Sequence, residues 1–412
     1  MDAFSLISST AAAALKSSDF EQFVPGYWER LDGQGYSQST TRNYLSCIAH
    51  FARWCHQSGR PAQELDEIDL EQFLGHHLHI CTCPAPVQRC KHQLRAAIRH
   101  FLAILKQLRV GDPIALSPAQ AELLRFDAYL MRTKGLAAST RARHLAIVGE
   151  LLNQQVGLTI LPTLSPQLLR QCLHAQRSRL SPASAGVLAS ALRGYIKYRL
   201  TIGDVVAHLL PIIASPANWR LAPLPQTLNP AQVSQLLGAF PLDLPSARRG
   251  YAIVRCLIDL GLRASEVAAI ELDDIDWHSA TLQIAKGKSR RTDILPLPAL
   301  TSKAIADYVQ FERPPTALRR VFVRHVAPVD RPITSGVIRN TVRYAYLRCD
   351  LPFTRVHILR HTLAGRILAS GGTLKEVADV LRHRHLDTSL IYTKIDFARL
   401  SVVAQPWPGS NV

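Results

Sequence analysis

The chain has 412 residues, which is more than one ordinary domain holds and predicts two or three domains. Lysine and arginine outnumber aspartate and glutamate by 48 to 31, and the formal charge of +17 indicates a polyanionic partner, double-stranded DNA first. A solvated basic surface is the alternative. No apolar run is long enough to span a bilayer, and the N-terminus lacks the basic region of a signal peptide. We therefore expect a cytoplasmic protein, not a membrane protein, with reduced cysteines.

Two helical segments in the N-terminal half resemble each other. Gly35–Thr40 opens a helix in the first segment, and Gly135–Thr140 opens one in the second. Each segment ends in a comparable helix, Leu94–Phe101 and Leu188–Tyr195 respectively. We interpret them as two copies of one helical module. Chance similarity between hydrophobic helices is the alternative.

A proline-rich stretch from Pro211 to Pro230 predicts a linker between these modules and the rest of the chain. Beyond it, the pattern predicts helices and two short strands, Leu282–Ile284 and Asp293–Leu297, joined by a basic turn. The predicted helices are Ser234–Phe240, Arg249–Leu260, Thr301–Phe311, Thr334–Cys349, His357–Ala369 and Leu374–Leu381. The predicted parts of the chain are a frayed or short helical N-terminal segment (1–19), the two modules (20–112 and 118–215), a linker (216–229), a C-terminal domain (230–405) and a tail (406–412).

Five short motifs in the C-terminal domain combine groups suited to phosphoryl transfer. Two arginines can hold one phosphate through paired, charge-assisted hydrogen bonds. Histidines transfer protons near neutral pH, and a tyrosine hydroxyl can attack to form a covalent intermediate. Together they predict cleavage of a phosphodiester without a metal ion. The motifs are Gly261–Glu266, Ala285–Gly287, His357–Arg360, Leu381–His383 and Ile391–Thr393.

These motifs, in this order, resemble the tyrosine recombinases, also called the phage integrase family, over residues 228–400. The resemblance implies a mainly α catalytic domain with a small antiparallel β-sheet, preceded by helical core-binding-type domains. It makes the second module the core-binding domain and the first an additional DNA-binding or assembly domain. One departure is Arg382, which replaces the usual glycine of the Leu-Gly-His motif.

The resemblance also implies a role for each motif residue. Tyr392 is the nucleophile that forms a 3′-phosphotyrosine, Arg263 and Arg360 bind the phosphate, and His383 hydrogen-bonds to it. His357 accepts the tyrosine proton, and Lys286 protonates the leaving 5′-oxygen. Glu266 supports the site. The basic residues expected to contact DNA are Lys288, Arg290, Arg291 and Arg382.

Several neighbours compete for these roles. Lys288 is the main alternative to Lys286 as the catalytic lysine, since both lie in one basic turn that could merely contact phosphate. His361 is interpreted as structural or as a backbone contact, because it is not expected to share a helix face with His357 and Arg360. We expect His385 to be exposed.

A separate cluster in the first module matches no common zinc motif but carries ligand-type residues. Cys81, Cys83, Cys90 and His92 are candidate ligands of a structural zinc, and three histidines, at 76, 77 and 79, precede them. The alternative is a chance grouping of reduced cysteines and histidines. For catalysis we expect no metal and no cofactor.

The family resemblance implies assembly on DNA. A homotetramer on two synapsed recombination sites is expected, alone or with other recombinases, with the apolar C-terminal segment packing on a neighbouring protomer. The expected function is movement or resolution of a mobile genetic element. Two alternatives stay open: a relaxing activity like that of type IB topoisomerases, and a non-catalytic DNA-binding accessory protein.

Overall fold

The computed structural model describes residues 3–108, 117–153, 164–177, 180–215, 224–284, 293–383, 385–395 and 400–402. Two compact units make up the chain: residues 111–222 form one, and residues 1–110 with 223–412 form the other. The described residues are mainly helical with one three-stranded antiparallel sheet, which confirms the predicted fold class. Among them, no helix has the length and apolar character needed to cross a membrane.

The helices and strands have the following bounds. The α-helices are α1 Ser9–Lys16, α2 Val24–Gly33, α3 Gln38–Gln57, α4 Glu67–Gln72, α5 Leu78–Ile80, α6 Lys91–Leu108, α7 Pro118–Arg132, α8 Ala138–Asn153, α9 Pro166–Arg177, α10 Pro182–Thr201, α11 Pro230–Leu237, α12 Ala247–Asp259, α13 Ala264–Val267, α14 Ala299–Phe311, α15 Ser335–Arg348, α16 His357–Ala369 and α17 Leu374–Val380. The strands are β1 Ile275–Asp276, β2 Thr281–Ile284 and β3 Asp293–Pro296. Shorter 3-10 helices are Ala3–Leu6, Glu21–Phe23, Ala207–Ile212, Leu272–Asp274, Leu386–Thr388 and Leu390–Ile395, and Phe73–His77 is a π-helical turn.

The start of the chain belongs to the core of the first module. Helix α1 packs against α3, and its Leu15 side chain is fully buried. The described part of the predicted N-terminal segment is therefore not frayed. Its alanines and leucines form an apolar face, and burying that face stabilises the helix more than its short length alone would.

In each of the two modules, a glycine in the left-handed backbone conformation separates two successive helices. Gly35 has φ +73° between α2 and α3, and Gly135 has φ +59° between α7 and α8. The residue after each glycine donates its backbone N–H to a carbonyl in the last turn of the preceding helix. Glycine ends helices in this way because it lacks the Cβ that disfavours positive φ. This agreement supports the proposed duplication.

The predicted linker is shorter than its prolines indicated. Pro211 lies inside a 3-10 helix of the second unit, and Pro230 opens α11, where a missing N–H costs nothing. Leu228 is buried and its N–H donates to Oγ1 of Thr362 at 2.9 Å. The described residues just before α11 are therefore part of the C-terminal domain, while residues 216–223 lie outside the described residues.

The C-terminal domain is built around α12, which packs against α14 and α16. The sheet runs β1–β2–β3, with Ile284 paired to Asp293 in the β2–β3 ladder. All six predicted helices are present. Their ends shift by a few residues; α11, for example, starts four residues early at Pro230 because Asn229 accepts the Gln232 N–H at 2.8 Å and caps it.

The cysteine–histidine cluster of the first module differs from the predicted set. The structure brings Cys81 and Cys83 together with His50 and His77. Cys90 and His92 lie outside this group, and Cys90 is exposed. Spacing within one continuous segment cannot indicate His50, because α3 contributes it from an earlier part of the chain.

Candidate active site

Arg263 and Glu266 form a pair at the start of α13. The backbone N–H of Arg263 donates to Oε2 of Glu266 at 2.8 Å. Nη1 of the Arg263 side chain donates to Oε1 of the same carboxylate at 2.7 Å. Glu266 is buried, whereas 30% of the Arg263 side chain is exposed. The carboxylate thus orients the guanidinium and leaves part of it accessible to an anion.

Arg360, in the first turn of α16, is buried and held by main-chain oxygens. Its Nη1 donates to the carbonyl of Gly261, and its Nη2 donates to the carbonyl of Leu381. Burial, reinforced by the positive charges of Arg263 and Arg382, lowers the pKa of Arg360 to about 10. The side chain is still charged at neutral pH, so an anion placed beside it would be bound strongly.

Gly261 is the point where these segments meet. Its φ is +59°, and a Cβ there would lie 2.7 Å from Cδ2 of Leu381 and 2.9 Å from Cδ2 of Leu363. Neither the conformation nor the space suits a larger residue. The Gly261–Glu266 motif therefore needs glycine at its first position, so that the Gly261 carbonyl can reach Arg360.

Arg382 adopts a left-handed conformation, with φ +51°. This explains why a glycine suits the position in the family motif. The Arg382 Nη2 donates to Oε2 of Glu266 at 2.7 Å, and Nε lies 3.9 Å from Oδ2 of Asp293. Only 7% of the side chain is exposed, so in this structure it serves a buried carboxylate. Its predicted DNA contact stays a prediction.

Glu266 therefore lies between two guanidinium groups. Burial alone would raise its pKa, but Arg382 and Arg263 together lower that pKa below the ordinary value. The carboxylate is ionised at neutral pH and offsets part of the positive charge of the three arginines. Its predicted supporting role agrees with this geometry.

His383 is fixed by a serine that the sequence analysis did not single out. Its Nδ1 lies 2.6 Å from Oγ of the buried Ser389. Burial, and then the charge of Arg360, lowers the pKa of His383 to about 4, so the ring is neutral at neutral pH. A serine six residues away carries no sequence signal for this contact.

Tyr392 lies in the last 3-10 helix with only 2% of its surface exposed. Its hydroxyl is hydrogen-bonded to Nδ1 of His361 at 2.9 Å. Its ring is parallel to that of His383, with 6.3 Å between the ring centroids. Burial raises the pKa of Tyr392, although Arg360 and Arg263 oppose the shift. The hydroxyl therefore stays protonated at neutral pH unless a base removes the proton.

The expected position of His361 was wrong. His357 and His361 are four residues apart, a separation that returns to the same helix face, and their ring centroids lie 6.4 Å apart. His361 reaches the tyrosine, while His357 is exposed at the start of α16. Burial, then His357 and Arg360, lowers the pKa of His361 to about 4, so it is a neutral ring able to accept a proton.

The basic turn of the second motif lies outside the described residues. It joins the paired strands β2 and β3, whose ends Ile284 and Asp293 face each other. The side chains concerned are Lys286, Lys288, Arg290 and Arg291. Of the other competitors, His385 is exposed as expected.

Comparison with known proteins identifies the family. Residues 226–399 match the phage integrase family, and residues 26–104 match the SAM-like N-terminal domain of phage integrases. The integrase/recombinase y4rA of Sinorhizobium fredii is 33% identical over 396 residues, covering 94% of this chain and 94% of that protein. The chain belongs to the tyrosine recombinase (phage integrase) family.

Other relatives of this recombinase agree. The tyrosine recombinase XerD of Corynebacterium glutamicum is 30% identical over 250 residues, covering 59% of this chain and 79% of that protein. The crystal structure of the XerH site-specific recombinase bound to a palindromic difH substrate covers 81% of this chain and 94% of that chain, with a TM-score of 0.52 and 19% identity. That structural likeness shows the fold.

The protein is a tyrosine-type site-specific recombinase, an enzyme that breaks and rejoins DNA. The SAM-like domain match falls on the first module, which the sequence analysis had interpreted as additional to the core-binding domain. The division of DNA contacts between the two modules therefore stays a proposal.

Proposed function

We propose that Tyr392 is the nucleophile of this recombinase. Its oxygen attacks a DNA phosphorus, the bond from phosphorus to the 5′-oxygen breaks, and a 3′-phosphotyrosine and a free 5′-hydroxyl result. The 5′-hydroxyl of another strand attacks this ester to rejoin DNA, so the bond energy is conserved and no ATP is used. The observation that carries this proposal is the position of the Tyr392 hydroxyl, hydrogen-bonded to His361 and beside the charges of Arg360 and Arg263.

The arginines supply the charge that a phosphodiester transition state needs. Arg263 keeps an exposed part of its guanidinium, and Arg360 is rigidly held by two carbonyls. A pre-oriented pair of this kind binds the non-bridging oxygens without a cost of reorganisation at the moment of reaction. His383, neutral and fixed by Ser389, is positioned to hydrogen-bond to the same phosphate.

The proton of Tyr392 passes to a histidine in this proposal. The family resemblance favours His357 as the acceptor. The 2.9 Å distance between the Tyr392 hydroxyl and Nδ1 of His361 supports His361 instead. His357 lies beside His361 and is exposed, which suits a contact to the DNA phosphate. Lys286, in the turn between β2 and β3, remains our candidate for protonating the 5′-oxygen.

At the level of biology, we propose that the recombinase moves or resolves a mobile genetic element. Its resemblance to the integrase/recombinase y4rA over nearly the whole chain supports this assignment. The formal charge of +17 suits a protein that encloses DNA. The sequence left two alternatives open, a relaxing enzyme without site preference and an accessory protein without chemistry. Family membership argues against both, and trapping of the covalent intermediate distinguishes all three.

Trapping on suicide DNA tests the proposal. A nicked duplex from the ends of the host element is incubated without added divalent metal, and covalent adducts are resolved on a denaturing gel. We expect an adduct with the wild type and with Tyr344→Phe, which removes a hydroxyl from a tyrosine that is 54% exposed. Tyr392→Phe should give no adduct while still binding the duplex.

Each other outcome has a definite meaning. An adduct that persists in Tyr392→Phe would show that another residue is the nucleophile. Binding without an adduct in the wild type would favour the accessory protein. Relaxation of a supercoiled plasmid that lacks the element ends, at the rate seen with a plasmid that has them, would favour the topoisomerase-like activity.

We also propose that four protomers synapse two sites and that residues 396–412 contact a neighbouring protomer. Among the described residues of this segment, the apolar side chains of Leu400 and Val402 are 42% and 84% exposed and are available for such a contact. Deleting 396–412 should abolish synapsis, measured by native gel shift of paired sites, while single-site binding is retained. Deleting only 406–412 is the control. Intact synapsis and recombination in the longer deletion would contradict the proposal.

A further inference from the structure

The first module brings four metal-ligand side chains together far from the catalytic residues in sequence. His50 lies on α3, His77 ends the π-helical turn, and Cys81 and Cys83 follow α5. Their ligand atoms all lie within 4.8 Å of one another. His50 is almost fully buried and the other three are partly buried, so the group lies at the edge of the module's core.

Three of the six distances between ligand atoms in the group are close to the edges of a tetrahedron around one zinc ion. Zinc bonds of about 2.0–2.1 Å to nitrogen and 2.3 Å to sulfur place two nitrogens ~3.4 Å apart and a nitrogen and a sulfur ~3.6 Å apart. The observed separations are 3.3 Å between the Nε2 atoms of His50 and His77, and 3.2 Å from Nε2 of His50 to Sγ of Cys81. Sγ of Cys83 lies 3.7 Å from Nε2 of His77.

The surroundings of His50 prepare it as a ligand. Its Nδ1 lies 2.8 Å from the backbone oxygen of Gln88, a partner that accepts a proton and cannot donate one. The Gln88 side chain is in turn held by Asn43, with 2.6 Å between Nε2 and Oδ1. A proton on Nδ1 leaves the lone pair of Nε2 free, and Nε2 is the atom that faces the other three ligands.

The chain around the cysteines needs such a crosslink. Residues 81–90 form no helix or strand between α5 and α6. Most of these residues are partly or fully exposed, so little apolar burial holds them in place. A metal bonded to Cys81 and Cys83 on one side and to His50 on the other would fasten this segment to α3.

We propose that His50, His77, Cys81 and Cys83 bind one structural zinc ion. Two thiolates neutralise the dication, and two neutral imidazoles complete a closed set of four protein ligands with no open position for chemistry. The ion stabilises the SAM-like module and has no part in strand cleavage. This ligand set replaces the one predicted from spacing, in which Cys90 and His92 completed the site.

Metal analysis of the full-length protein tests the assignment. After expression with added zinc and desalting, we expect about one zinc per chain in the wild type and less than about 0.2 in Cys81→Ser/Cys83→Ser. Cys90→Ser/His92→Gln is the matched control, since it removes a nearby thiol and a nearby imidazole. It should retain about one zinc per chain. Zinc loss in the control but not in the first variant would overturn the assignment.

Because a ligand variant can simply unfold, cobalt provides a second measurement on the wild type. Cobalt(II) in a tetrahedral sulfur and nitrogen site gives intense visible bands and a thiolate charge-transfer band, and both should appear at one equivalent. Zinc should displace them and raise the melting temperature of the apo-protein. No metal binding after reduction, a weak octahedral cobalt spectrum, or a Cys81–Cys83 disulfide in freshly purified protein would each overturn the proposal.

Discussion

At the residue scale, the candidate site holds more positive than negative charge. Arg263, Arg360 and Arg382 surround Glu266, and Asp293 lies 3.9 Å from Arg382. Burial, together with the neighbouring guanidinium groups, lowers the pKa of Arg360, and the carboxylate of Glu266 opposes that shift only in part. A scissile phosphate would relieve this repulsion. Part of the free energy of phosphate binding would therefore come from relief of repulsion that already exists in the folded site.

The Tyr392–His361 contact makes a prediction that separates two neighbouring histidines. Replacing His361 with alanine should slow covalent adduct formation by about 10²–10⁴-fold, because a positioned proton acceptor is lost. His357→Ala is the matched control and should cause a smaller loss. The measurement is single-turnover cleavage at saturating DNA. A larger loss in His357→Ala would restore the family-based assignment of the proton acceptor.

Arg382→Gly tests whether the ion pair between Arg382 and Glu266 stabilises the folded protein. Glycine relieves the positive φ, which costs a residue with a Cβ about 1–2 kcal/mol, but its freer unfolded chain offsets about 0.4–1 kcal/mol of that gain. Breaking a buried ion pair by removing one partner costs about 3–5 kcal/mol, so the net change should be destabilising, though Arg263 still pairs with Glu266 and reduces it.

The double variant Arg382→Gly/Glu266→Gln provides the control for that prediction. If the ion pair is the cause, the double variant should be less destabilised than the sum of the two single variants, as measured by urea unfolding. Additive losses would mean that Arg382 acts through something other than Glu266.

At the element scale, three short segments determine the geometry of Arg360. The turn at Gly261, the start of α16 and the end of α17 meet there, since Arg360 donates to the carbonyls of Gly261 and Leu381. Each segment is ordinary by itself. Their close approach requires a residue without a Cβ at position 261, which is why the first motif begins with glycine.

Gly261→Ala should therefore lower both stability and cleavage. Positive φ costs about 1–2 kcal/mol in a residue with a Cβ, and crowding against Leu363 and Leu381 adds about 1–3 kcal/mol. Gly371→Ala is the control, because Gly371 also has positive φ, +88°, but nothing lies near its Cβ position. The melting temperature and the rate of adduct formation should both fall more for Gly261→Ala than for Gly371→Ala. Equal effects would show that crowding at the site is unimportant.

At the scale of the whole molecule, buried histidines make stability depend on pH. The pKa values of His325, His361 and His383 are each lowered to about 4, first of all by burial. Unfolded histidines titrate near 6.5, so the unfolded chain binds more protons between these values. Stability from these groups is present above about pH 6.5 and is lost as pH falls toward 4.

We therefore expect the free energy of unfolding to fall steadily between pH 6.5 and pH 4. Each histidine contributes at most about 1.4 kcal/mol per pH unit, and less where solvent screens the ring, as for His325 and His383. Urea unfolding at a series of pH values measures this slope. His325→Gln should reduce the slope without touching the catalytic residues. An unchanged slope would mean that His325 is not protonated on unfolding.

The family, the enzyme class and most of the secondary structure could be predicted from the motifs and periodicity of the chain. The motifs around Arg263, Arg360, His383 and Tyr392 lie in order along the chain, and their residue types can be read without coordinates. Helix α16 was predicted with its observed ends, because its periodicity is a local property of the sequence.

Which of these side chains contact one another could not be predicted from the chain and depends on how its elements pack. His361 rather than His357 contacts Tyr392, Arg382 turns inward to Glu266, and His50 joins the cysteines of a later segment. Each contact joins segments separated by tens of residues or more. Spacing along the chain tells which side chains share a helix face, but the packing of separate elements selects the partner that each face meets.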